Sequence, residues 1–231
     1  MTRITCMPRA TRAASLGASL AAAALFAAGS AQAAITIYTS QASFLAAVGS
    51  PVGVDTYNDL DNTQPLEIPI ARTAGSFSYS ASAGPLSNFF PAGGVAGDIW
   101  LATNNRTDTI TLSAFSAGAA AVGGFFFRSG LDGFATSTAA TINVRAVDSL
   151  GATVTRAQIN PATTSFVGFV SNGTISSVQV FVGTPGTGTV DVWPTINDLT
   201  VAAAAIPEPE SVVLMLAGLG LVGLLARRRM V

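Results

Sequence analysis

Histidine and lysine are both missing from the 231 residues, and the one cysteine, Cys6, stands at the very start of the chain. Without histidine, Ser-His-Asp and Cys-His nucleophiles are excluded, and so are histidine-ligated metals. Without lysine, Ser-Lys dyads and Schiff-base chemistry are excluded as well. A single cysteine cannot staple the domain, so stability must come from core burial or from a bound ion. Charge is scarce too. Residues 34–206 hold five arginines against ten acidic residues, a net charge near −5. Nucleic-acid binding wants a clustered basic face, and this composition supplies none. There is no Gly-x-Ser-x-Gly nucleophile elbow. Glu67 is the only glutamate before the C-terminal tail, and no aspartate is marked as its partner. A non-enzymatic chain is expected, with a carboxylate-only glycosidase as the remaining catalytic alternative.

Both ends of the chain carry what the middle lacks. Arg3, Arg9 and Arg12 precede an apolar stretch, Ala13 to Ala28, and Ala31-Gln32-Ala33 forms a small-x-small cleavage site. That order reads as a secretory signal over residues 1–33, removed by signal peptidase to leave Ala34 as the first residue. At the other end Val212 to Ala226 is an unbroken uncharged run of fifteen residues. As a helix it would reach roughly 22 Å, short of a hydrocarbon core of about 30 Å. Snorkelling arginines and local thinning can close that gap. Glu208 and Glu210 lie before the run, and Arg227, Arg228 and Arg229 follow it. The positive-inside rule then places the C-terminus in the cytoplasm and the body outside. Within the run, Gly218 to Gly223 matches Gly-x-Gly-x-x-Gly, but no strand precedes it and small residues suit helix packing in lipid.

Ile206-Pro207-Glu208-Pro209-Glu210, the apolar span and the arginine cluster, in that order, resemble the sorting tail of PEP-CTERM proteins. The resemblance implies export across the inner membrane of a Gram-negative-type bacterium. It further implies exosortase as a partner acting near Pro207, Glu208 and Pro209, then transient anchoring and release to the cell surface or beyond. An envelope or extracellular-matrix role alongside exopolysaccharide comes from the same likeness. A looser likeness covers Ala121 to Val201, whose segment order is similar to ectodomains of that family that look like lectin-type jelly rolls.

Between the ends, residues 34–205 read as one domain with chain enough for a sizeable core. Thr109–Ser113, Ala140–Val147 and Ile175–Val182 alternate or nearly alternate apolar with polar, the period of half-buried strands. Ala121–Phe127 and Ser165–Val170 are denser, as inner strands would be. Breakers recur at Asp132-Gly133, Asp148 to Gly151, Asn160-Pro161, Asn172-Gly173 and Thr184 to Gly186. Asn172-Gly173 predicts a two-residue hairpin. A helix is expected over Gln41–Val48, capped by Ser40 and closed by Gly49, and Ala81–Gly97 reads as a long loop. The expected fold is an all-β, jelly-roll-like antiparallel sandwich with one short helix, followed by a transmembrane helix at 212–226.

Two clusters invite a function. Asp55, Asn58, Asp59, Asp61 and Asn62 crowd oxygen ligands into eight residues, with Asp198 near the last strand. Asp55, Asp59, Asp61 and Asp198 are therefore candidate calcium ligands. The spacing is not that of an EF-hand, and turn-forming Asp and Asn explain the run without an ion, which is the favoured reading. Trp100, Trp193, Tyr57, Tyr79, Phe89 and Phe90 offer either a stacking platform for sugar rings or ordinary core packing. A carbohydrate-binding module, with or without calcium, is the alternative these clusters support.

Overall fold

A computed structural model describes residues 34–84, 87–93, 97–183 and 191–204, together with Gly218. The signal segment, Pro207 to Pro209, the apolar run apart from Gly218, and Arg227 to Arg229 lie outside the described residues. Among the described residues no helix is long and apolar enough to cross a membrane.

Among the described residues from Ile35 to Ala204, thirteen strands and one α-helix follow in order: β1 (Ile35–Tyr38), α1 (Gln41–Ala47), β2 (Val48–Asp55), β3 (Ile70–Ala74), β4 (Phe77–Ala83), β5 (Ala92–Gly93) and β6 (Ile99–Ala102). They continue as β7 (Ile110–Ser113), β8 (Ala119–Ser129), β9 (Thr141–Asp148), β10 (Thr153–Ile159), β11 (Phe166–Ser171), β12 (Ile175–Val182) and β13 (Trp193–Ala204). One sheet runs β1-β11-β8-β13-β6-β5, with β2 added on β13; the other runs β10-β9-β12-β7-β4-β3. Neighbours pair antiparallel throughout. From β7 onward the chain crosses repeatedly between the two sheets.

The core forms where the two inner faces meet. Val122, Phe126, Phe169, Ile196 and Leu199 from the first sheet face Leu112, Ile142, Val144, Val178 and Val180 from the second. β9 alternates between half-buried and buried along its length, so the second sheet keeps a wetter outer face. The first sheet is covered on both faces. Ala121 and Phe166 pack beneath Phe44 of α1. Towards the other end, Phe127 packs with Trp100, Ala92 and Ala102. Double coverage is why β8 reads as a continuous apolar run instead of an alternating one.

Helix α1 begins where expected, with the Ser40 side chain accepting from the Ser43 N–H at 3.5 Å. It ends at Ala47 and passes directly into β2, so Val48 and Gly49 are strand residues and not its last turn. The expected loop Ala81–Gly97 is interrupted too: Ala81 to Ala83 finish β4, and Ala92-Gly93 form β5. Asn172-Gly173 does not close a hairpin. It joins β11 to β12, which belong to different sheets, and so makes a corner of the sandwich.

β13 carries the most consequence for placement. It runs along β8 on one side, while its other side is shared between β6 near its start and β2 near its end. Ile196 and Leu199 both face the core although three residues apart, because the register slips between Asn197 and Thr200. Asp198, at φ 48°, is the extra residue of that bulge. β13 ends at Ala204 opposite Val48, and β1 starts at Ile35 opposite Ser171, so both ends of the described domain leave from one end of the sandwich. The opposite end holds Trp193 opposite Ser129.

Candidate functional site

Two features stand apart from ordinary packing. The first is a buried polar knot where β2, β3 and β4 converge. Asp55 ends β2, its side chain only 3% exposed, and Arg72 of β3 grips it through Nε at 2.9 Å and Nη2 at 2.5 Å. The same guanidinium reaches Asp59 through Nη1 at 2.8 Å and Nη2 at 2.7 Å. Tyr79 donates its one hydroxyl hydrogen to Asp55 at 2.6 Å. The phenol oxygens of Tyr79 and Tyr57 lie 3.0 Å apart, which leaves Tyr57 as the donor between them. The Tyr57 N–H donates to Asp55 at 3.1 Å, and Arg72 lies over the Tyr57 ring at 5.4 Å from its centre.

Burial, and then the Asp55 charge, push the Tyr57 phenol well above its ordinary value. Burial also raises Tyr79, with Tyr57 and Asp55 adding to it. Both phenols stay neutral in water near pH 7. Burial of Arg72 acts to lower its pKa, but Asp59 and Asp55 together outweigh that and hold the guanidinium charged. The hydrogen bonds from Arg72 hold Asp59 below the usual carboxylate range.

The four candidate calcium ligands are therefore placed as follows. Asp55 and Asp59 converge, and the Arg72 guanidinium lies between them. Asp61 belongs to an exposed turn, accepting from Thr63 N at 2.8 Å, Thr63 Oγ1 at 2.6 Å and Gln64 Nε2 at 2.9 Å. Asp198 sits on the β13 bulge, where burial and the nearby Asp98 raise its pKa. Among the described residues no three acidic, histidine or cysteine side chains gather as a metal-holding group. Arg72 is what the sequence reading overlooked. An arginine at an alternating position of a strand is the available signal for a partner of buried Asp55, but β3 itself was not legible.

The second feature is a cleft of about 330 Å³ at the end of the sandwich away from Ala34 and Ala204. Of the six candidate stacking aromatics, Tyr57, Tyr79, Phe89 and Trp100 are core residues. Trp193 and Phe90 line the cleft. Trp193 gives its indole N–H to the Asn104 carbonyl at 3.3 Å, so it has only ring surface left to present. The opposite wall is the turn after β8. Gly130 N–H bonds the Phe134 carbonyl at 2.9 Å, and Asp132 accepts the Phe134 N–H at 3.1 Å. Gly133 holds φ 77°, which a side chain would strain. This fixed turn lifts Leu131 to 86% exposure and Phe134 to 51%. Neither was singled out in the sequence, where Asp132-Gly133 reads only as a breaker.

No curated protein and no solved structure matches the chain. The match that is found begins one residue after β13 ends: residues 205–229 fit the family model of the PEP-CTERM protein-sorting motif, which implies an exported chain with exosortase as its processing partner.

Proposed function

We propose that this is a non-catalytic, exosortase-sorted protein of the cell envelope or extracellular matrix, working alongside exopolysaccharide. The observation that carries the reading is the sorting motif following β13 directly, so the last strand of the folded body leads straight into the segment the transpeptidase would read. The apolar run within that motif serves as the transient membrane anchor, and Arg227 to Arg229 as its cytoplasmic stop. The repeated crossings between sheets from β7 onward support a jelly-roll-like body. The lack of histidine and lysine supports a non-catalytic role. So does the cleft, which among the described residues offers one carboxylate, Asp132, where glycoside hydrolysis uses two.

Intact-mass measurement of the protein from surface and medium fractions of its native host tests the assignment. The expected species starts at Ala34 and ends close to Pro207-Glu208-Pro209, and Pro207→Ala with Glu208→Ala traps the chain in the membrane fraction. Recovery of uncut Ala34 to Val231 from a host that possesses the transpeptidase would overturn it.

A carbohydrate-binding body is the second reading, favoured by the cleft that Trp193, Phe90 and Phe134 line. Calcium assistance is tested by repeating any binding measurement with and without chelator.

A further inference from the structure

A folded domain has no packing reason to hold Leu131 and Phe134 in water on a hydrogen-bonded turn. The same cleft carries unspent polar groups. The side chains of Asn62 and Asn104 make no hydrogen bond among the described residues, and Asp132 uses only Oδ1, on the Phe134 N–H. Ring surface on two walls with free amides and a carboxylate oxygen between them suits a ligand with apolar faces and hydrogen-bonding edges. Charge narrows the class. Among the described residues no arginine lines the cleft, while Asp132 does, so a uronate or phosphate group would meet a like charge there with no described cation to answer it.

We infer that the cleft formed by Phe90, Asp132, Phe134 and Trp193 binds a ring of an uncharged polysaccharide, stacked on the aromatic side chains, with its hydroxyls bonded by Asn62, Asn104 and Asp132. The inference rests on the carbohydrate-binding reading of the body and adds the place and the charge class of the ligand. Position favours it as well. β13 carries the chain over its twelve residues from Trp193 to Ala204, about 35 Å along the strand. A chain tethered through its tail therefore carries this cleft at the outer end, where a polymer can reach it.

The test uses the mature protein exported by its native host, run through native gels containing soluble glucan, mannan or galactan, with polygalacturonate as the charged comparison. Retardation by at least one neutral polymer and none by polygalacturonate is expected. Phe134→Ala and Trp193→Phe should each weaken binding about tenfold, as the loss or shrinkage of one stacked ring would. Leu150→Ala, exposed at the distant β9–β10 turn, should leave it unchanged. Tryptophan emission should shift on binding in the Trp100→Phe variant, which leaves Trp193 as the reporter. Phe134 is a half-exposed turn residue, so its loss reports on the cleft even if Trp193 variants fold poorly. Retardation by none of the three neutral polymers, preference for polygalacturonate, or binding indifferent to Phe134→Ala would overturn the inference. A dimer abolished by Phe134→Ala would overturn it in favour of a second copy as occupant. Failure of binding with the trimmed surface form still recovered removes the saccharide site and leaves the sorting reading intact. Binding with an untrimmed tail does the reverse.

Discussion

Asp55 is buried and Asp198 half-buried, and their surroundings treat them in different ways. Asp55 is met by a bidentate guanidinium, a phenol hydroxyl and a backbone N–H. Removing one partner from such a knot leaves the other buried and uncompensated, so Arg72→Met should cost about 3–5 kcal/mol in urea unfolding. The double variant with Asp55→Asn should recover part of that. A loss below about 1 kcal/mol would mean the pair contributes no more than a surface ion pair does. Asp198 makes no ion pair among the described residues. Its pKa is raised by burial and by Asp98, so folding disfavours its charged form relative to the unfolded chain. A raised carboxyl contributes stability that is intact below its unfolded value, near 3.8, and is lost as pH rises through the folded one. Asp198→Asn should therefore raise the melting temperature at pH 7, and the gain should vanish near pH 3. Asparagine also tolerates the positive φ that the bulge imposes, so backbone strain does not confuse the comparison. An equal gain at both pH values would assign the effect to the backbone and not to charge.

Helix α1 is held to the sheet by one close fit. Phe44 lies on Gly168 of β11, where an added Cβ would come within 2.3 Å of the ring. Gly168→Ala should therefore displace the helix, with a loss comparable to Phe44→Ala, about 3–5 kcal/mol in denaturant melts. Adding Gly168→Ala to Phe44→Ala should cost little more, because the clash is gone; full additivity would separate the two sites. The same fit explains what could be read in advance. Ser40 announced the helix start, since capping is local chemistry, whereas its end depended on β2 pairing with β13 and no local residue encodes that. The strands β7 and β9 were legible because each has one wet face and keeps its alternation, and β12 keeps it over Ser177 to Val180 before three buried residues end it. β3 and β5 were hidden in a stretch rich in glycine and proline, where pairing partners decide the strand; β4 does alternate, but its end fell within the loop expected from Ala81. Asn172-Gly173 has the composition of a hairpin turn but links two sheets, since long-range pairing chose the partners of β11 and β12. The cleft was half visible: Trp193 and Phe90 were named among six aromatics, but exposure separates them from the buried four only in three dimensions.

For the whole molecule, the arrangement of ends matters more than any one contact. The chain enters at Ala34, held by a bond to the Asn172 side chain at 3.1 Å, and leaves at Ala204 on the same end of the sandwich. The sorting motif follows Ala204 in sequence, and Ala204 lies at the end of the sandwich away from the cleft. Between β1 and β13 stand only β11 and β8, a lateral separation of about 14 Å at ordinary strand spacing. A body whose two ends sit that close has the geometry of an insert. Spliced through short glycine-serine arms into a surface loop of an unrelated carrier, it would stand off the carrier like a knob on a stem, its fold undisturbed and its far face untouched by either junction.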